Sequence, residues 1–229
     1  MDWVPPVLSE TMPVMTEYKQ AMPQANKQDL FWASRLVECM NELGEMETNV
    51  VLMSIDDAQT IKPFQRYPET PYYFADKHWR AFYHCHDAPD LETNEHGHYH
   101  FFTRTKKNDN WSHVVAMGMN NFGQPIRMFT TNLWVTDGHW FEHENFFAQV
   151  SQLCDNNEYN HVTNWLKYCL LLFQNEINDL LQARDRQVEL LYPNNHDQCF
   201  KDRSIYYLSG AAINLRKQLT NIFQSNRDK

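Results

Sequence analysis

Hydrophobic and polar positions follow three patterns in succession along the chain. Residues 1–25 carry Pro5, Pro6, Pro13 and Pro23, which leaves room only for short helices. Asn26-Lys27-Gln28-Asp29 reads as a helix start, with a capping side chain and an acid in the first turn. Leu30, Ala33, Val37, Met40 and Leu43 then recur at helical spacing, up to a C-cap at Gly44. The apolar run Asn49 to Ile55 fits a helix and a strand equally. Pro63, Pro68 and Pro71 mark an extended stretch.

From Lys77 the period changes to two. Trp79, Ala81, Tyr83 and Cys85 interleave with Arg80, Phe82, His84 and His86. After the loop-like residues 87–95, His98, His100, Phe102 and Arg104 alternate with Tyr99, Phe101 and Thr103. His113 to Met119 and Ile126 to Thr131 give two more strands, joined through Asn120-Asn121-Phe122-Gly123. The expectation is an antiparallel meander of about four strands over residues 77–131.

Beyond it the spacing turns helical again. Phe141 to Leu153 reads as one helix. An apolar stripe from Val162 to Leu191 predicts a long helix over 161–192, stopped by Pro193. Tyr207 to Ile222 reads as a final amphipathic helix. With no linker or internal repeat, residues 1–229 read as a single α+β domain, its sheet packed against N-terminal and long C-terminal helices.

Composition changes this picture in two places. Glycine numbers 6, against about 16 expected at the usual ~7%. Histidine numbers 11, ten of them between His78 and His161. The net charge of −9 repels a phosphate backbone, and no basic run offsets it, so nucleic acid is not an expected partner. No apolar run is long enough to span a bilayer, and the first residues do not form a signal peptide. Cys39, Cys85, Cys154, Cys169 and Cys199 contain no Cys-x-x-Cys pair and read as reduced, mostly buried thiols of a cytoplasmic protein. Oligomeric state is left open, a homodimer included.

The histidines acquire meaning once the first two strands are paired. A hairpin closed by residues 87–97 sets His86 opposite His98, His84 opposite His100, Phe82 opposite Phe102 and Arg80 opposite Arg104. All eight then share one face, while Trp79, Ala81, Tyr83, Tyr99 and Phe101 share the other, which packs on the helices. Cross-strand partners place Cβ atoms ~4.5–5.5 Å apart, so His84, His86, His98 and His100 form a candidate set of metal ligands. Imidazole suits a transition metal such as Zn, Cu, Fe or Ni. His96 and His113 stand near, and Glu92 or Glu95 could complete a shell. The alternatives are a half-exposed sheet face that only meets water, and a metal-free pocket for a small anionic molecule held by Arg80 and Arg104, with His96 and His113 at its margin. Haem would combine a histidine ligand with arginines on its propionates. A helical interaction protein, presenting the 161–192 helix to a partner, is a further class. Residues 130–136 (TTNLWVT) read as a capped turn with Trp134 in the core. No phosphate-cradling loop, nucleophile elbow or zincin motif occurs, so no reaction is named and catalysis stays open.

Tyr83-His84-Cys85-His86, then Glu95-His96-Gly97-His98-Tyr99-His100-Phe101-Phe102, and then Phe129-Thr130-Thr131-Asn132-Leu133-Trp134-Val135-Thr136 resemble an uncharacterised bacterial protein family with YHAH-like, EHGHFH-like and FTTNRWVT-like segments. Leu133 stands where that pattern carries arginine. The resemblance spans roughly residues 45–190 and implies a domain of unknown function, with the histidine strand as its most distinctive part.

Overall fold

The alternation that begins at Trp79 builds the centre of a six-stranded antiparallel sheet in a computed structural model that describes residues 27–55, 61–86, 94–155, 157 and 159–227. The expected short helices of residues 1–25, the cap at Asn26 and Glu92 lie outside the described residues. The strands are β1 (Tyr67–Phe74), β2 (Trp79–His84), β3 (Glu95–Thr103), β4 (Ser112–Asn120), β5 (Pro125–Thr131) and β6 (Tyr207–Ala212), paired in that order. The four expected strands are β2 to β5. β1 comes from the proline-bearing stretch, where an edge position tolerates Pro68 and Pro71.

Helices surround one sheet face and one end: α1 (Lys27–Glu45), α2 (Val50–Ile55), α3 (Leu133–Thr136), α4 (Phe146–Val150), α5 (His161–Leu172), α6 (Gln174–Leu191), α7 (His196–Lys201) and α8 (Leu215–Arg227). Trp79, Ala81, Tyr83, Tyr99, Phe101, Val115, Met117, Met119 and Met128 are buried from the sheet side, in one core with Trp32, Leu36 and Leu43 of α1 and nearly all of α5. Burying each such side chain stabilises by about 1.5–3 kcal/mol. The polar tips in this core are satisfied: the Tyr99 hydroxyl donates to the Val50 carbonyl at 2.8 Å, and the Trp79 indole donates to the Gln149 carbonyl at 3.1 Å. Asn49–Ile55 resolves as helix, because the Asn49 side chain accepts from the backbone N–H groups of Val51 and Leu52, both at 3.0 Å.

The helical expectations are corrected in three places. The 161–192 helix is two, broken at Phe173 (φ −105°, ψ 18°) with neither Gly nor Pro to announce it. Residues 207–212 are strand β6 rather than helix. Ser209 there meets Thr130 of β5 at 2.7 Å and donates to the Leu180 carbonyl at 2.8 Å, and the helix begins only after Asn214, whose side chain accepts from Lys217 N–H at 2.9 Å. Residues 141–153 are a short helix flanked by two 3₁₀ turns, not one helix. The capped turn after β5 is present. Asn132 caps α3 and donates to the Cys199 carbonyl at 2.8 Å, while Trp134 is only half-buried. The large apolar residues along α5 and α6 are buried except Leu190 and Leu191 at the end of α6, which leaves an interaction-helix reading little surface. Among the described residues no helix is long and apolar enough to cross a membrane.

Candidate metal centre

The second sheet face carries the histidines, in a register that differs from the expected one. His84 pairs with His98, Phe82 with His100, and Arg80 with Phe102. The slip is two residues, so every side chain keeps its face and only its partner changes. The face is also not a half-exposed polar surface. His98 and His100 are each 2% exposed, and Phe82, Phe102, Phe129, His113 and Arg127 are buried with them.

β2 supplies His84, its C-terminal extension His86, and β3 His98 and His100. The Nε2 atom of His84 lies 2.8 Å from that of His98, 3.1 Å from that of His100 and 3.2 Å from that of His86. One imidazole nitrogen offers a single proton or a single lone pair. At most one of these three contacts is therefore a hydrogen bond, and the others set like against like. A cation at the point of convergence removes the conflict. With metal–nitrogen bonds of ~2.0–2.1 Å, ligand nitrogens are separated by roughly 2.9 Å at a right angle and roughly 3.3–3.4 Å in a tetrahedron, which matches this spacing. His84, His86 and His98 each place one nitrogen within 4.8 Å of the others and form a group that could hold a metal ion; His100, at 3.1 Å from His84, stands outside that mutually close group.

The far nitrogens are held by other groups. His98 Nδ1 lies 2.9 Å from Glu95 Oε1, and the other Glu95 oxygen accepts from Arg127 Nε. His100 Nδ1 lies 2.9 Å from His113 Nε2, and His113 Nδ1 lies 3.4 Å from the Thr131 hydroxyl. The Glu95 carboxylate can only accept, so it puts the proton of His98 on Nδ1 and leaves that ring's Nε2 lone pair for the centre; between His100 and His113 either nitrogen can be the donor. Burial, reinforced by neighbouring imidazoles, lowers His84 to about 3 and holds His98 and His100 well below the ordinary value. Burial likewise lowers His113 to about 3, with the Arg184 charge adding to it. All four are neutral near pH 7, the form that binds metals. Burial works against the Arg127 charge, but Glu95 overcomes it and raises that guanidinium's pKa.

Two local devices make this possible. A β-bulge between Glu95 and Gly97 swings Glu95 onto the histidine face. It turns His96 off that face, to the Tyr83 hydroxyl at 2.6 Å. His96, expected beside the cluster, is therefore not part of it. Gly118 of β4 pairs with both His98 and Arg127. A Cβ there would stand 2.8 Å from Glu95 Oε2 and 2.9 Å from Arg127 Cγ, so only glycine lets the ion pair lie across β4. Arg80 and Arg104 sit farther along the same face, over Trp111 at 4.5 and 4.3 Å. Glu95 serves as an orienting group rather than a ligand. Arg127 and Gly118 carry no signal in the sequence, since each becomes relevant only through strand pairings that periodicity leaves undetermined.

An α+β protein with a part-buried, all-imidazole cluster on one sheet face is the class that fold and site define. The chain belongs to the family described as domain of unknown function DUF6969, whose match covers residues 31–213. No curated protein and no solved structure matches it significantly.

Proposed function

We propose that the protein binds a transition-metal ion through His84, His86 and His98, with His100 as a fourth donor, as a metal-binding protein or metalloenzyme. The observation that carries this is the convergence of three Nε2 atoms on that of His84 within 3.2 Å. The donor set has no thiolate and no carboxylate, which favours Cu, Ni, Zn or Fe over Mg or Ca. The crowding supports a bare ion rather than haem, because a porphyrin on any one of these nitrogens would overlap the other rings. The aromatic wall of Phe82, Phe102 and Phe129 keeps the centre dry, where a Lewis acid acts most strongly.

Elemental analysis of untagged protein, loaded in turn with each of the four metals and dialysed, tests the reading. About one equivalent of one metal is expected, and less than a tenth of that in His84→Ala/His98→Ala. Equal, substoichiometric metal in both proteins overturns it.

A further inference from the structure

Next to the imidazoles the same face carries three arginines that the metal reading does not use. We propose that Arg66, Arg80 and Arg104 form a binding shelf for an oxyanion, the carboxylate or phosphate group of a small molecule whose other contact is the histidine-bound metal. The shelf deepens the metal reading and rests on it only for that second contact.

Position is the first argument. Arg66 Cζ stands 4.7 Å over the Phe82 ring, which is itself 6.0 Å from His84 and 5.7 Å from His100. Arg80 Cζ is 4.8 Å over Phe102 and 4.5 Å over Trp111, and Arg104 Cζ is 4.3 Å over the same indole. Arg66 and Arg80 thus each stand one aromatic ring from the imidazoles, with Arg104 beside Arg80 on Trp111. Flat aromatic backing holds their planar forks in fixed orientations, which lowers the entropy lost when a bidentate oxyanion is gripped.

Charge is the second. Among the described residues none of the three forms an ion pair. Arg104 Nε donates to the Lys77 carbonyl at 3.0 Å, and Arg80 bonds the Tyr73 side chain while its buried Nε has no hydrogen-bond partner. Asp76, next to Lys77, whose carbonyl accepts from Arg104, is paired with Lys107 at 2.8 Å. The chain has 29 acidic and 20 basic residues, yet among the described residues these three arginines stand over Phe82, Phe102 and Trp111 with no carboxylate paired to them. Among the described residues the carboxylate beside the histidines is Glu95, and it is matched by Arg127. A divalent ion in a shell of neutral imidazoles would therefore keep its full charge until an anion arrived from outside.

Access is the third. Arg66 is exposed and Arg80 and Arg104 are half-buried, so an anion can reach the three guanidinium groups from solvent.

Calorimetric titration of inorganic phosphate and, separately, oxalate into metal-loaded and chelator-treated protein decides the matter, with Arg80→Gln and Arg66→Gln as variants. We expect at least one oxyanion to bind wild type and to bind at least tenfold more weakly to each variant, with metal content unchanged. Phosphate alone, or oxalate alone, identifies which group the shelf takes. Binding to chelated protein that the variants abolish supports the shelf even if no metal is ever taken up, so the two readings fail separately. Equal binding to wild type and both variants, or no binding in either state, overturns the shelf. Because Arg66 is exposed, its variant keeps the test valid should Arg80→Gln fold poorly.

Discussion

Glu95 is the residue on which the centre depends without contacting it. Its two oxygens hold His98 in one tautomer and neutralise buried Arg127. Glu95→Gln leaves a buried guanidinium uncompensated, which costs about 3–5 kcal/mol, and lowers metal affinity about 10- to 100-fold through the misoriented His98. Denaturant midpoints and competition titration with a metal indicator read the two effects apart; an unchanged midpoint would contradict the pairing. Acid acts at the same scale. Four imidazoles have folded pKa values depressed below about 6.5, so near pH 7 they are neutral in both folded and unfolded chains. Below about 6.5 the unfolded chain binds protons that the folded chain refuses. Stability is therefore full above that value and falls as pH drops toward 3, by up to about 1.4 kcal/mol per pH unit for each imidazole. Chelated protein should show urea midpoints that decline from pH 7 to 5; a flat profile would mean that the imidazoles are not shielded.

At the scale of elements, strand pairing decides whether the imidazoles meet. A Cβ at Gly97 would stand 2.5 Å from the backbone carbonyl of His84, so Gly97→Ala must push β2 from β3 where His84 faces His98. The expected result is a loss of about 1–3 kcal/mol in stability together with reduced metal occupancy; calorimetry and elemental analysis check it, and native occupancy would show that the strands need not touch there. This also marks how much of the molecule its sequence discloses. Period two sorts residues 79–86 and 98–104 onto the correct faces, because that sorting needs no partner strand. The partners themselves were offset by two, since the length of the connection after His86 does not fix where pairing begins. The bulge that exchanges His96 for Glu95 has one mark in the sequence, Gly97, since an isolated glycine in a strand signals a bulge or a close backbone approach. β6 was read as helix because Tyr207, Leu208 and Ala211 also satisfy helical spacing, and its strand conformation comes from pairing with β5, a contact that local pattern does not encode. The split at Phe173 escaped notice because both halves remain good helix formers.

Across the whole molecule, a ligand that binds only the folded chain stabilises it by mass action. At a free metal concentration 100-fold above Kd the gain is about 2.7 kcal/mol. For a chain of this size that raises Tm by roughly 5–10 °C, so chelation should lower the melting point by that amount and re-addition of the metal restore it. The sheet's connectivity has a kinetic corollary. His84 and His98 are 14 residues apart, His84 and His100 are 16, and His100 and His113 are 13, so the centre closes only short loops within three successive strands. β6 by contrast reaches β5 across 79 residues, as the Thr130–Ser209 pair shows. A cation can gather its ligands while the helical half is still unstructured, acting as a nucleus on which β2, β3 and β4 assemble before the slow long-range closure. Refolding in stopped flow should then speed up when the metal is present from the start, and not when it is added after the sheet has formed.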